Sequence, residues 1–311
     1  MMDIVITEFM DEAAVADLQK RFSVCYDPAL VDDPKLREKL QNARAVIVRN
    51  RTRVNRALLD AAPALCCVGR LGVGLDNIDV AACKSRHVAV YPAFGSNTDS
   101  VAEYVMATAM LLLRRAFGDS AAVAAGDWPR MRLGRGREVG GCMMGLVGFG
   151  AIARAVAARA NAFGMRVCAH DRFVSPDDPA WAMAESLPLD DLLLQADIVS
   201  LHIPLHEETR GLLDERRLSL MKSDAVLINT ARGGLVDEDA LVARLQSGDL
   251  GGAALDVFAH EPIDSQSGAC FMNIPNLILT PHIAGVTEDS NIRASRMIAD
   301  KVAQALRGFG E

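Results

Sequence analysis

Between Met143 and Asp171 the chain sets an apolar run, a turn built on Gly148-Phe149-Gly150, an Ala-rich stretch at helical spacing, and a second apolar run that ends in a carboxylate. Few folds accommodate that order. Gly148 permits a tight strand-to-helix turn. Gly150 lets the backbone approach a pyrophosphate whose charge meets the helix amino terminus at Ala151 and Ile152. The third small position is Ala153 rather than glycine, which still allows close packing of helix on strand. Asp171 is suited to accept both adenosine ribose hydroxyls and to repel a 2′-phosphate, favouring NAD over NADP, although Arg172 beside it partly offsets that repulsion. Without its flanks such a turn is weak evidence, since ordinary α/β packing also produces it.

With 311 residues, half of them hydrophobic and 23% charged, the chain holds enough apolar material for two domains. Aromatics make up only 5%, which suits parallel strands and helices better than an aromatic-rich all-β design. A formal net charge of -7 argues against a general nucleic-acid or acidic-membrane surface, because both need a basic face. The seven cysteines include no Cys-x-x-Cys pair and sit mostly in apolar runs, so they read as reduced small hydrophobes. Asp3-Ile4-Val5-Ile6 lacks the basic start and long apolar stretch of a secretion signal, and no later run approaches a membrane span. A cytoplasmic protein is expected. No set of His, Cys and carboxylates has metal-ligand spacing, so no metal is expected.

The first ninety residues alternate β-branched runs (Ile4 to Thr7, Ala45 to Val48, Leu65 to Val68, Val88 to Tyr91) with amphipathic stretches (Asp11 to Arg21, Arg56 to Ala62, Val80 to Arg86), the rhythm of a parallel sheet flanked by helices. Gly95 is a candidate hinge before a long helix, Thr98 to Leu113. A loop from Gly118 to Gly141, carrying Trp128 and several arginines, reads either as a solvated arm or as a segment reaching a partner subunit. Beyond it six strands are predicted, at Met143 to Val147, Met165 to His170, Ile198 to Leu201, Ala225 to Asn229, Ala253 to Asp256 and Leu277 to Leu279, completing a doubly wound sheet. The last helix, Glu288 to Leu306, has no strand left to serve there and should return to the first domain. The fold class is therefore α/β with two doubly wound parallel-sheet domains: a discontinuous one of residues 1–95 plus 286–311, and a central Rossmann domain of 96–285.

Three single residues follow later predicted strands, at the carboxyl edge where open α/β sheets bind ligands. Arg232, in Asn229-Thr230-Ala231-Arg232-Gly233-Gly234, offers a guanidinium able to hold a carboxylate and polarise a neighbouring carbonyl. His282, in Thr280-Pro281-His282-Ile283-Ala284-Gly285, can exchange a hydroxyl proton. Glu261, if it touches that imidazole, favours its charged form and holds its orientation. Singly, each has a bland reading as a surface ion-pair partner or a structural residue. Their joint occurrence carries the weight.

Together with the glycine turn, these motifs resemble the D-isomer-specific 2-hydroxyacid dehydrogenase family over nearly the whole chain. The resemblance implies that Arg232 binds and polarises a 2-oxo acid, that His282 is the acid/base with Glu261 as its partner, and that Asp256 contacts the nicotinamide carboxamide. It places His202, Pro204, Thr230, Ala231 and Gly285 beside the cofactor as well. It further implies a flavodoxin-like substrate domain made from both chain ends and a homodimer built mainly through the nucleotide domain. In Val68-Gly69-Arg70-Leu71-Gly72-Val73-Gly74, the amides of Val73 and Gly74 would bind the substrate carboxylate as the family does, with packing turns as the alternative.

Val48-Arg49-Asn50-Arg51-Thr52-Arg53 supplies three arginines at a strand end, more cations than a simple monocarboxylate needs. This stretch is similar to the 3-phosphoglycerate dehydrogenase branch, and the chain from Thr7-Glu8-Phe9-Met10 onward also resembles bacterial sulfolactate dehydrogenases. Both substrates carry an anion at carbon three. Arg49, with Arg51 beside it, is the candidate for binding that anion; solvated arginines are the alternative. The absence of a regulatory extension after Glu311 tilts the expectation toward sulfolactate. A hydroxypyruvate or glyoxylate reductase remains open, as does a non-catalytic NAD-sensing co-repressor-like protein. A formate dehydrogenase is disfavoured, because its resembling motif carries glutamine where this chain has Glu261.

Overall fold

The computed structural model describes residues 2–308. The chain divides into two compact units, Met1–Asn97 with Val286–Glu311, and Thr98–Gly285. In the first, strands β1 (Ile4–Ile6), β2 (Val24–Tyr26), β3 (Ala45–Val48), β4 (Cys67–Arg70) and β5 (Ala89–Pro92) alternate with helices α1 (Glu12–Gln19), α2 (Leu36–Leu40), α3 (Arg56–Ala61) and α4 (Val80–Ser85). The strands form one parallel sheet in the order β2-β1-β3-β4-β5, the flavodoxin-like arrangement.

Successive strand residues face opposite layers, so each apolar run feeds two cores. Ile4, Ile6, Ala45, Ile47 and Cys67 pack against α1 and the terminal helix Glu288–Gly308, whereas Val5, Val46, Val48 and Val68 pack against Leu40, Leu58, Leu59 and Ile78. The terminal helix buries Ala294, Ile298, Ala299, Val302, Ala303 and Leu306 along one stripe, as expected of a helix that joins this unit. It lies so close to the sheet that a Cβ on Gly69 would stand 2.5 Å from the Ile298 side chain. Truncating Ile298 to alanine in such a contact costs about 2–5 kcal/mol. Capping fixes the helix starts: Asp11, Asn55 and Asp79 accept from the amides of Ala14, Leu58 and Ala82.

Besides helix α2 (Leu36–Leu40), which was not expected, two strands depart from the sequence reading. Strand β2 was not expected, because three half-buried residues at a sheet edge make no apolar run. Strand β4 begins at Cys67 rather than Leu65, whose amide instead closes a turn onto the Ala62 carbonyl.

The second unit opens with α5 (Thr98–Arg114), then α6 (Ser120–Ala124) and α7 (Arg130–Leu133). The stretch 118–141, expected as a loop, thus contains two short helices, neither with a buried residue. Phe117 just before it is 65% exposed, and Trp128 and Met131 along it are 79% and 81% exposed. Arg132 pairs with Asp119, and Arg137 with Asp197 and Asp224.

There follow β6 (Met143–Val147), α8 (Ala151–Ala162), β7 (Arg166–His170), β8 (Glu185–Ser186), α9 (Leu189–Gln195), β9 (Ile198–Leu201), α10 (Glu215–Leu220), β10 (Val226–Asn229), α11 (Glu238–Ser247), β11 (Gly252–Leu255) and β12 (Leu277–Leu279). All pair in parallel, in the order β12-β11-β10-β9-β6-β7-β8. The two-residue edge strand β8 adds a seventh member to the six predicted. Layers on both faces bury the sheet, α5 and α8 on one side and α9, α10 and α11 on the other. The progression of the strand order reverses between β6 and β9, the switch point where such sheets open a crevice at their carboxyl ends.

Among the described residues no helix is long and apolar enough to cross a membrane, and no group of three or more His, Cys, Asp or Glu could hold a metal ion. All seven cysteines are free, only Cys270 being exposed.

Candidate active site

The glycine turn sits at that switch point. Gly148 has φ +93°, and a Cβ there would come within 2.7 Å of the His202 carbonyl oxygen, so both conformation and space demand glycine. The turn is tied to both neighbouring strands, Gly148 N–H donating to the His170 carbonyl and His202 N–H to that of Val147. Gly150 precedes α8 in extended backbone with no side-chain cap, and a Cβ on it would meet nothing within 4 Å. Among the described residues the amides of Ala151 and Ile152 have no protein acceptor. Uncapped donors at the positive end of a helix beneath open space suit a dinucleotide pyrophosphate. Ala153 is fully buried, as close helix-to-sheet packing requires.

Asp171 closes the turn from the far side. Its Oδ2 accepts from Phe149 N–H at 2.7 Å, and its Oδ1 accepts from the amides of Phe173 and Val174. A carboxylate has roughly four acceptor sites and three are taken, so it retains capacity for about one ribose hydroxyl rather than the pair expected from sequence. Arg172 turns instead to Glu208, 3.5 Å away on the exposed surface.

Strands β9 and β10 pair with Leu201 opposite Asn229, which sets His202 and Thr230 at neighbouring strand ends. His202 as a residue is partly exposed, but its ring Nε2 is buried without a partner, as is the hydroxyl of Thr230. Orphaned buried polar atoms are costly, and here they lie where a bound cofactor would supply partners. Burial pushes the His202 imidazole down to about 4, so the ring is neutral. Pro204, exposed, accepts at its carbonyl from Thr209 Oγ1.

Beyond β10 the loop is shaped by buried Asn229, whose side chain accepts from Ala231 N–H and donates to the Arg232 carbonyl. Arg232 Nη1 donates to the Ala231 carbonyl at 2.7 Å. At the next position a Cβ on Gly233 would collide with the carbonyl of Phe258, so this loop presses on the one that follows β11.

In that following loop, Glu261 Oε1 accepts from Phe258 N–H at 3.0 Å, and Oε2 stands 2.7 Å from Nδ1 of His282. His282 holds φ +56°, uncommon for a residue with a Cβ, while its N–H donates to the carbonyls of Asp256 and Thr280. Asp256, 1% exposed, receives the Thr280 hydroxyl at 2.6 Å and the amides of Ile283 and Ala284 at 2.7 and 2.8 Å. Its carboxylate therefore orients the histidine loop, a task the sequence did not reveal. Tyr104 on α5 hydrogen-bonds Thr280 and supports the same corner. Gly285 ends the loop, partly buried. With Nδ1 turned to a carboxylate, Nε2 of His282 is the nitrogen left for proton exchange.

In the first unit, the loop after β3 wraps around a residue the sequence reading passed over. Glu8, 5% exposed, accepts from the backbone amides of Arg49, Asn50, Arg51 and Thr52. Burial works to raise its carboxyl, and the amide hydrogen bonds outweigh it, holding the group below the usual carboxylate range. An acidic residue directly after the predicted strand Ile4 to Thr7 was the available signal. Arg49 donates from Nη2 to Asn291 at 2.8 Å and lies 5.9 Å from the Phe9 ring centre. Among the described residues it forms no ion pair. Burial lowers its guanidinium, and Glu8 opposes that. Arg51 is held instead by Asp32, which weakens its candidacy for a ligand anion. The amides of Val73 and Gly74 have no acceptor among the described residues.

The chain matches the family described as D-isomer specific 2-hydroxyacid dehydrogenase, NAD binding domain, over residues 106–284. It is 54% identical over 308 residues to an (S)-sulfolactate dehydrogenase from Chromohalobacter salexigens, covering 98% of this chain and 99% of that one. It is 38% identical to the D-3-phosphoglycerate dehydrogenase of Mycobacterium tuberculosis over 98% of its own length, which spans only 57% of that relative. Among solved structures it is similar to the D-lactate dehydrogenase of Aquifex aeolicus complexed with NAD and lactic acid, with TM-score 0.84 and 29% identity, covering 98% of this chain and 96% of the other.

Proposed function

Because the chain belongs to the D-isomer specific 2-hydroxyacid dehydrogenase family and is an NAD-dependent dehydrogenase, we propose that its substrate is a three-carbon 2-hydroxy acid with an anion at carbon 3, 3-sulfolactate ahead of 3-phosphoglycerate. One observation carries this choice, the 54% identity to an (S)-sulfolactate dehydrogenase along nearly the full length of both chains.

In the second unit, Arg232 binds the substrate carboxylate and polarises the 2-oxo group, lowering the cost of charge on that oxygen during reduction. His282 Nε2 takes the hydroxyl proton on oxidation and returns it on reduction, and Glu261 stabilises the imidazolium and fixes its tautomer. When bound, NAD would supply the hydride acceptor for oxidation and NADH the hydride donor for reduction. Gly148, Gly150, Ala151 and Ile152 receive its pyrophosphate, Asp171 its adenosine ribose, and His202, Pro204, Thr230, Ala231, Asp256 and Gly285 line its nicotinamide half. In the first unit, Val73 and Gly74 donate amides to the substrate carboxylate, and Arg49 takes the anion at carbon 3. Its support is a half-buried guanidinium held by neutral Asn291.

The proposal includes a homodimer assembled through the second unit, supported by exposed Phe117, Trp128 and Met131, and a cytoplasmic location, supported by the unpaired cysteines. Sedimentation of the purified chain as a monomer would remove the dimer.

The test is NADH consumption with sulfopyruvate, 3-phosphohydroxypyruvate, hydroxypyruvate, glyoxylate and pyruvate. Sulfopyruvate should give the highest kcat/KM. A lead for 3-phosphohydroxypyruvate would move the assignment to a phosphate, and a lead for pyruvate or glyoxylate would overturn the anion at carbon 3.

A further inference from the structure

Helix α11 begins with two adjacent carboxylates that have different occupations. Asp237 caps the helix, accepting from Ala240 N–H at 3.0 Å. Glu238, the first helical residue, is therefore not needed for that end. It is half-buried and reaches sideways, its Oε1 accepting from the backbone amide of Ala259 at 2.7 Å. Burial pushes its carboxyl up, while the Ala259 amide and His260 pull the other way.

Ala259 lies between the two ends of the turn that presents Glu261. On one side, Phe258 N–H donates to Glu261 Oε1. On the other, Glu261 Oε2 meets His282. The same turn is pressed at Phe258 and Ala259 by the backbone of Gly233, and the Phe258 ring is fixed edge-on against Phe271, 5.8 Å between centres. The segment from Arg232 to Glu238 thus grips the Glu261 turn twice, once by backbone contact at Gly233 and once by the Glu238 carboxylate.

We propose that Glu238 is a positioning residue for the reaction: by holding the Ala259 amide it sets where Glu261 meets His282, and it couples that pair to the loop carrying Arg232. This rests on the reading of Glu261 and His282 as the proton-transfer pair. Glu238 touches neither substrate nor cofactor in this role. Its effect is geometric, and displacement of a catalytic group by about 1 Å can cost up to 100-fold in rate.

The experiment uses Glu238→Ala, Glu238→Asp and Glu238→Gln in the full chain, each alone and combined with Glu261→Gln. Kcat is measured with whichever 2-oxo acid the substrate screen ranks first, NADH affinity by fluorescence, and stability by thermal unfolding. Glu238→Asp retains charge but shortens the reach, so it should fold and lose about tenfold or more in kcat, as should alanine, with NADH affinity unchanged. Glu238→Gln keeps an acceptor for the Ala259 amide and should recover most of that loss. With Glu261 already changed to Gln, the alanine substitution should cost less than about twofold, because residues acting as a unit are not additive. Full kcat in Glu238→Asp overturns the proposal. So does a loss of equal factor with and without Glu261, or a glutamine variant no better than alanine. His282→Ala, run alongside, tests the underlying reading: sustained turnover there removes the proton-transfer pair whatever the Glu238 variants do.

Discussion

Glu261 Oε2 and His282 Nδ1 stand 2.7 Å apart, and the other oxygen of the same carboxylate is held by the backbone amide of Phe258. The imidazole thus has one nitrogen committed and one free, and its partner cannot swing away without breaking a backbone contact.

Replacing His282 should separate chemistry from binding. At φ +56° asparagine tolerates the backbone better than alanine, so His282→Asn is the variant least confounded by strain. Both substitutions should lower kcat by about 10²–10⁴-fold. NADH affinity, measured by fluorescence titration, should stay within about twofold if the ring acts on the proton and not on the cofactor. Preserved turnover in His282→Asn would remove the role.

Arg49→Ala should discriminate among substrates. Loss of a charged hydrogen bond costs about 1.5–3 kcal/mol, so kcat/KM for sulfopyruvate or 3-phosphohydroxypyruvate should drop about 10- to 100-fold, and that for pyruvate should change little. A uniform loss over all three acids would instead mean that Arg49 supports the fold through Asn291.

Glu8 makes acid stability of the first unit depend on one carboxylate. Its folded value lies below the ordinary one, so its contribution is present above the unfolded value and is lost as pH falls through the folded one, in the range below about 4.5. Glu8→Gln replaces one acceptor oxygen by an NH2 facing backbone donors, and should destabilise by about 2–4 kcal/mol at neutral pH. Urea unfolding at pH 7 and pH 4 measures both, and the gap between wild type and variant should narrow at the lower pH.

His202 works in the same direction over a higher window. Its folded value, about 4, lies below the usual 6.5, so between those values the unfolded chain binds the extra proton and stability falls as pH drops. Without cofactor, the decline attributable to this residue approaches at most about 3 kcal/mol. His202→Gln should flatten the dependence of unfolding free energy on pH between about 4 and 6.5. An identical slope in the variant would show the ring to be hydrated in solution.

Strand-forming runs were legible wherever both faces of a parallel strand are buried, as at Ala45–Val48 and Ile198–Leu201, because continuous burial demands continuous apolar sequence. Edge strands escaped notice at Val24–Tyr26 and Glu185–Ser186, where only backbone pairing defines the element. The glycine turn, Arg232, Glu261 and His282 could be put forward as candidates because each lies beyond a recognisable strand. What pins them could not. The amides that Glu8 and Asp256 collect, and the reach of Glu238 to Ala259, depend on loops meeting in space, and no spacing rule encodes such a meeting.

The openness around Gly150 has a practical corollary. Since nothing lies within 4 Å of where a methyl would sit, and the backbone there is extended, the apoprotein has no reason of its own to exclude alanine. Only an arriving phosphate would notice the methyl. An alanine allele at this position should yield a normally folded, normally melting polypeptide that is indifferent to dinucleotide, an empty-handed twin against which every effect of occupancy on this molecule can be measured.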